Sequence, residues 1–91
     1  MIRKHMLISG DVQGVGFRYR ANYVAQSLGL TGYVRNRYDG KVELEVQGDR
    51  DSISRFLGMV DAGSFIHIDD IESKEIGLVE DERSFKVLHS L

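Results

Sequence analysis

The segment Lys41–Gln47 alternates without interruption, with Val42, Leu44 and Val46 on one side and Lys41, Glu43, Glu45 and Gln47 on the other. A period of two places these sets on opposite faces of a strand, so the chain must build a sheet that is packed on one face and polar on the other. Two helical stripes are available to cover the apolar face. Phe17, Ala21, Val24, Ala25 and Leu28 recur at helical spacing, with Gly29 as a left-handed stop. Ile53, Phe56, Leu57 and Val60 form the second stripe, in a helix expected from about Asp51 to Ala62 and ended by Gly63. With 91 residues, such a domain buries only about 60–65% of its unfolded surface, so every stripe must share one core.

Further strands are expected at His5–Val12, Gly32–Arg37, from Ile66 towards Ile76, and at Ser84–His89, the last as a short strand or extended tail. Ile66 and Ile68 alternate but Ile71 breaks their phase, which calls for a bulge. Gly77–Arg83 reads as an acidic surface loop. Register constrains the hairpin between the second and third strands. For Val34 to share the buried face with Leu44, the turn must be Tyr38-Asp39-Gly40 with Gly40 left-handed, pairing Arg37 with Lys41. Asn36 then lies on the face of Val34, towards the helices.

The order βαββαβ with a short C-terminal strand is a ferredoxin-like α+β sandwich, an antiparallel sheet with two helices on one face, spanning residues 1–91 as one domain. A right-handed crossover makes the first two strands parallel, with the third inserted antiparallel between them. Their carboxyl ends then share one edge, where the loop after the first strand, the start of the first helix and Asn36 converge.

Composition narrows the functions open to such a domain. Without cysteine there is no disulfide, thiolate metal cage or cysteine nucleophile, and a cytoplasmic location is expected. The apolar stretch Met6–Ile8 is too short for a signal peptide or a membrane span. A net charge of -2 argues against a general nucleic-acid binder. That total is unevenly divided: Met1–Lys41 carries seven basic residues against two acidic ones, whereas the remainder carries five against twelve. An anion site therefore has room in the first half. His5, His67 and His89 lack metal-ligand spacing, and Asp69-Asp70 and Asp81-Glu82 read as solvated pairs, so no metal site or cofactor is expected.

The loop Gly10-Asp11-Val12-Gln13-Gly14-Val15-Gly16-Phe17-Arg18 joins a strand to a helix. Gly14 and Gly16 allow successive N–H groups to turn inwards as an anion nest, and the helix N-terminus adds free donors. Arg18 brings a permanent cation with a fork of donors suited to two phosphate oxygens, at a helix end where a cation opposes the dipole. An anionic ligand relieves that mismatch. Neither the third glycine of the dinucleotide motif nor the Gly-Lys-Ser/Thr of the Walker motif is present.

Val12-Gln13-Gly14-Val15-Gly16-Phe17-Arg18 and Gly29-Leu30-Thr31-Gly32-Tyr33-Val34-Arg35-Asn36-Arg37-Tyr38-Asp39-Gly40-Lys41-Val42-Glu43, followed by Gln47-Gly48, together resemble the acylphosphatase family over about half the chain. The second half matches only in element order, and Gly63-Ser64-Phe65 stands where the family commonly has a Gly-Pro-Pro-like stretch. The resemblance implies metal-independent hydrolysis of a small-molecule acyl phosphate to a carboxylate and inorganic phosphate. It implies that Arg18 binds the phosphoryl group, that Gly14, Val15, Gly16, Phe17 and Arg18 form the phosphate-binding loop, and that Asn36 orients the attacking water. A monomer without nucleic-acid or membrane partners is expected. The alternative is a non-catalytic module of the same fold that binds a phosphate-bearing ligand or a protein. An RNA-binding sheet is disfavoured because the aromatic RNA signature is missing and the third strand is expected to expose Glu43 and Glu45. Tyr19, Tyr23, Tyr33 and Tyr38 are expected mostly to pack, and Arg20, Arg35, Arg37 and Lys41 to be ordinary exposed charges.

Overall fold

The computed structural model describes residues 1–61 and 65–90. The elements run β1 (Ile2–Asp11), α1 (Phe17–Ser27), β2 (Thr31–Asn36), β3 (Val42–Gly48), α2 (Arg50–Asp61), β4 (His67–Ile76) and β5 (Phe85–Val87). The five strands form one sheet in the order β4-β1-β3-β2-β5. β3 pairs antiparallel with both β1 and β2, as the crossover argument requires. β5 pairs parallel with β2, so the whole sheet is mixed rather than purely antiparallel. Among the described residues, no helix is long and apolar enough to cross a membrane.

The hairpin has the expected register. Val34 pairs with Leu44, the Arg37 N–H donates to the Lys41 carbonyl at 2.9 Å, and Gly40 has φ 87°. The β4 bulge is also present: Ser9 pairs with Asp70 but Gly10 with Ile68, leaving Asp69 unpaired between them. Gly10 is at φ 133°, and a Cβ there would collide with the His67 carbonyl oxygen, so the close approach of the two strands depends on glycine.

The core lies between the sheet and the helices. Met6, Ile8, Val34, Val42, Leu44 and Val46 meet Phe17, Ala21, Val24 and Ala25 of α1 and Ile53, Phe56 and Val60 of α2. Leu28 and Leu57, both assigned to the helical stripes, are only partly buried. α2 begins one residue earlier than expected because Asp49 caps it, its Oδ1 accepting the Ser52 N–H at 2.9 Å and its Oδ2 the Ser52 hydroxyl at 2.7 Å. The Ser52 N–H, foremost, and the Ser52 hydroxyl hold the Asp49 carboxyl below its usual range. The expected helix stop at Gly63 and the Gly63-Ser64 part of the family departure lie outside the described residues.

The polar face of the sheet differs from its expected solvated state. Glu43 and Gln47 are buried, and Arg3 is only 2% exposed. Arg3, in odd phase on β1, lies opposite Gln47 and meets Glu45 Oε1 at 2.6 Å and Glu82 Oε1 at 2.7 Å. The Glu43 carboxylate is shared by Arg35 at 2.9 Å and by His5 and the Tyr33 hydroxyl at 3.0 Å each. The acidic loop after β4 folds over this network, with Val79 exchanging two hydrogen bonds with the Gln47 amide. β3 is the middle strand, so long side chains from both neighbours converge on its polar residues and exclude water. Alternation in one strand identifies the face but not what covers it.

Burial would raise the Glu43 and Glu82 pKa values, but hydrogen bonds outweigh it and hold both below the ordinary range, from His5, Arg35 and Tyr33 to Glu43 and from Arg3 to Glu82. Burial likewise opposes the Arg3 charge, and Glu82 and Glu45 more than offset it. A carboxyl depressed in the folded state stabilises it fully above the unfolded pKa of about 4.3, and this contribution is lost as pH falls through the folded value. Thermal midpoints should therefore be flat near neutrality and fall below about pH 4.3. Glu82→Gln should lower the neutral midpoint and flatten the acid limb, whereas an unaltered acid limb would remove Glu82 from this role.

Candidate active site

Beyond Asp11 the chain leaves the sheet and bends through Gln13–Gly16 into α1. Gly14 (φ 75°) and Gly16 (φ 81°) are both left-handed, conformations that turn the local N–H groups to one side and strain any residue with a Cβ. Gly16 is also the N-cap of α1. It supplies no side-chain cap, and the first turn contains no acidic residue. The N–H groups that open α1 thus lack the side-chain acceptor that Asp49 gives to α2. Arg18 stands in that uncapped turn. It is half-buried, and its guanidinium makes no hydrogen bond or ion pair among the described residues.

Asn36 reaches the same place from β2. It is the last residue of that strand, pairs with Val42, and lies in phase with Val34 on the helix side of the sheet. Its Oδ1 is buried without a hydrogen-bond partner among the described residues. Leaving a buried acceptor unpaired costs about 1–3 kcal/mol, so this oxygen is available to accept from a ligand or a water. Val12, Gly14, Gly16, Phe17, Arg18, Tyr19 and Asn36 line one concavity of about 250 Å³. Of the residues expected at the site, Gly14, Gly16, Phe17, Arg18 and Asn36 are all in this lining, while Val15 belongs to the loop without contributing to the wall.

Gln13 is the residue whose role the sequence reading passed over. Its Nε2 donates to the Arg37 and Lys41 carbonyls, both at 2.8 Å. One side-chain amide therefore ties the loop to the base of the hairpin, next to the strand end that carries Asn36. The motif showed a polar residue in the loop, but its partners lie 24 and 28 residues away, and only the hairpin register brings them within reach.

Two larger concavities contain none of these residues: one of about 410 Å³ beside Leu57, Ile68 and Ile71, and one of about 460 Å³ beside Tyr33 and Glu82. Size does not select the site here. The 250 Å³ hollow combines a guanidinium, a turn of N–H donors and an unpaired acceptor, and it is lined by no carboxylate or imidazole. That donor set suits a tetrahedral oxyanion with a water beside it and is a poor match for a metal ion, whose ligands are typically carboxylate, imidazole or thiolate.

Comparison with known proteins agrees with this chemistry. Residues 4–87 match the family model described as Acylphosphatase. An acylphosphatase of Clostridium perfringens strain SM101 is 44% identical over 86 residues, covering 93% of this chain and 97% of that protein. The crystal structure of acylphosphatase from Bacillus subtilis superposes with a TM-score of 0.89 at 34% identity, covering 97% of this chain and 99% of that one. An acylphosphatase from Coxiella burnetii gives 0.85 at 38% identity, covering 96% and 92%.

Removing the Gln13 tie tests the construction of the site. Gln13→Ala should lower stability by about 1–2 kcal/mol in denaturant titration, the cost of two lost hydrogen bonds to carbonyls that keep other partners. It should also weaken inorganic phosphate binding by isothermal titration, and unchanged affinity would detach Gln13 from the loop's function.

Proposed function

The chain belongs to the acylphosphatase family, and from that membership we propose how its own residues divide the work. The reaction is hydrolysis of the carboxyl–phosphate bond of a small acyl phosphate to a carboxylate and inorganic phosphate. In our reading, the Arg18 guanidinium and the backbone N–H groups from Gly14 to Arg18 hold the phosphoryl oxygens, and Asn36 orients the water.

The observation that carries this assignment is the unpaired, buried Asn36 Oδ1 in the hollow lined by Arg18 and the loop. As an acceptor it can take one water O–H and direct the water oxygen's lone pair towards phosphorus. The water oxygen bonds to phosphorus as the bond to the carboxyl oxygen breaks. The electron pair leaves on the carboxylate, and the water's proton passes to the phosphate product or to solvent. A carboxylate is the conjugate base of an acid of pKa about 4, so it departs without a general acid. The remaining task is positioning and charge stabilisation, which preorganised donors perform best. Arg18 supplies the cation and the forked geometry for two equatorial oxygens, and the uncapped first turn of α1 supplies dipoles that need no reorganisation.

This division of labour needs no metal. We propose that it acts as a monomer. Purified protein should hydrolyse benzoyl phosphate in EDTA as fast as without it, and loss of turnover on chelation would end the metal-free mechanism. Arg18→Ala should lower kcat/KM by about 10²–10³-fold through both constants, because the charge is used in binding and in the transition state. Asn36→Ala should lower kcat by about 10²-fold with little change in KM, since the water rather than the substrate loses its partner. Wild-type rates in either variant would remove that residue from the mechanism.

A further inference from the structure

Once the phosphoryl group is seated on Arg18 and the loop, the rest of the substrate must rest against what remains of the hollow. Val12 and Phe17 are each 1% exposed and belong to the core, so they offer little surface to a ligand. Tyr19 is different. It lines the hollow, is 72% exposed, and makes no side-chain hydrogen bond among the described residues. Tyr23, one turn further along α1, is 69% exposed. Most tyrosines are expected from sequence to pack, yet Tyr19, Tyr23 and Tyr38 are all exposed, and Tyr19 is the one that lines the hollow.

Several cations of the first half are meanwhile held elsewhere. Arg20 Nη2 donates to the Met59 carbonyl at 2.8 Å, Arg35 is held by Glu43, Arg37 by Asp39 at 3.0 Å, and Arg3 by Glu45 and Glu82. Arg35, Arg37 and Lys41 also occupy odd positions of the hairpin, on the face opposite Asn36. Arg18 is the one cationic side chain in the lining, and the phosphoryl group occupies it.

We propose that this site favours acyl phosphates whose acyl group is planar and uncharged, seated on the Tyr19 ring, over those whose acyl group carries a second anion; the inference rests on the acylphosphatase reading of the Arg18–Asn36 hollow. A flat acyl group gains offset stacking on an exposed ring. A second carboxylate or phosphate finds no cation in the lining beyond Arg18 to repay its approach, and specificity follows from that difference.

The test measures kcat/KM of the full chain for acetyl phosphate, benzoyl phosphate, 4-carbamoylbenzoyl phosphate and 4-carboxybenzoyl phosphate, in the wild type, Tyr19→Leu and Tyr19→Phe. The benzoyl-to-acetyl ratio should fall about fivefold in Tyr19→Leu and stay within about twofold of the wild type in Tyr19→Phe. Comparing ratios between variants cancels the intrinsic reactivity of each substrate. In the wild type, the carboxylate-bearing substrate should be hydrolysed no faster than its neutral carbamoyl counterpart. A ratio unchanged in Tyr19→Leu, or a faster carboxylate-bearing substrate, overturns the inference while leaving the enzyme an acylphosphatase. Absence of turnover on all four substrates by folded wild type overturns the underlying reading and the inference together.

Discussion

The placement of β3 between β1 and β2 is the constraint on which the site depends. Because β3 runs antiparallel to both, β1 and β2 are parallel and their carboxyl ends reach the same edge of the sheet. The loop that leaves β1 and the side chain that ends β2 therefore meet, although Gly14 and Asn36 are far apart in sequence. The apolar face of β3 also anchors the helices, so the alternation that fixes the core fixes the meeting point too. Gln13 then joins the two partners directly through the hairpin carbonyls.

The two helices begin in contrasting ways. α2 has Asp49 as a cap, an acid in its first turn and fully conventional chemistry. α1 has a left-handed glycine, no capping side chain, no acid and an arginine. Each choice at α1 costs local stability, and together they leave donors and positive charge directed at one place. Departures from local rules concentrated in one turn are what our reading of the site as an oxyanion cradle accounts for, with the neighbouring Asn36 Oδ1 left to accept from a water.

Much of this was legible in the sequence because it depends on periodicity and parity. The α1 stripe, the three-residue hairpin turn and the β4 bulge all follow from which positions must face one core, and Val34 opposite Leu44 is a parity argument made visible. What was not legible depends on contacts between elements whose relative placement no local pattern encodes. Arg3 reads as one of two basic residues near the N-terminus, yet it is buried by Glu45 from β3 and Glu82 from the loop before β5. Glu43 and Gln47 read as solvated because alternation identifies a polar face without revealing that neighbouring side chains and the loop carrying Val79 close over it. β5 is three residues long and lies beside β2, and a segment that short carries no signal for the strand it joins or its direction.

The uneven charge along the chain acquires a different meaning once the fold is known. Counted by sequence, the first 41 residues look like a basic surface that would attract anions through a general field. In space, Arg3 and Arg35 meet Glu82, Glu45 and Glu43, all from the acidic remainder of the chain, so the halves largely neutralise each other across the polar face of the sheet. Arg37 is paired within its own turn. The diffuse field is therefore weaker than the sequence count suggests. In our reading the attraction comes from short-range elements, the Arg18 guanidinium and a few N–H dipoles, whose effect fades within a helical turn or a Debye length of about 8–10 Å. On that reading the site discriminates by geometry at the phosphoryl group and by what surrounds it.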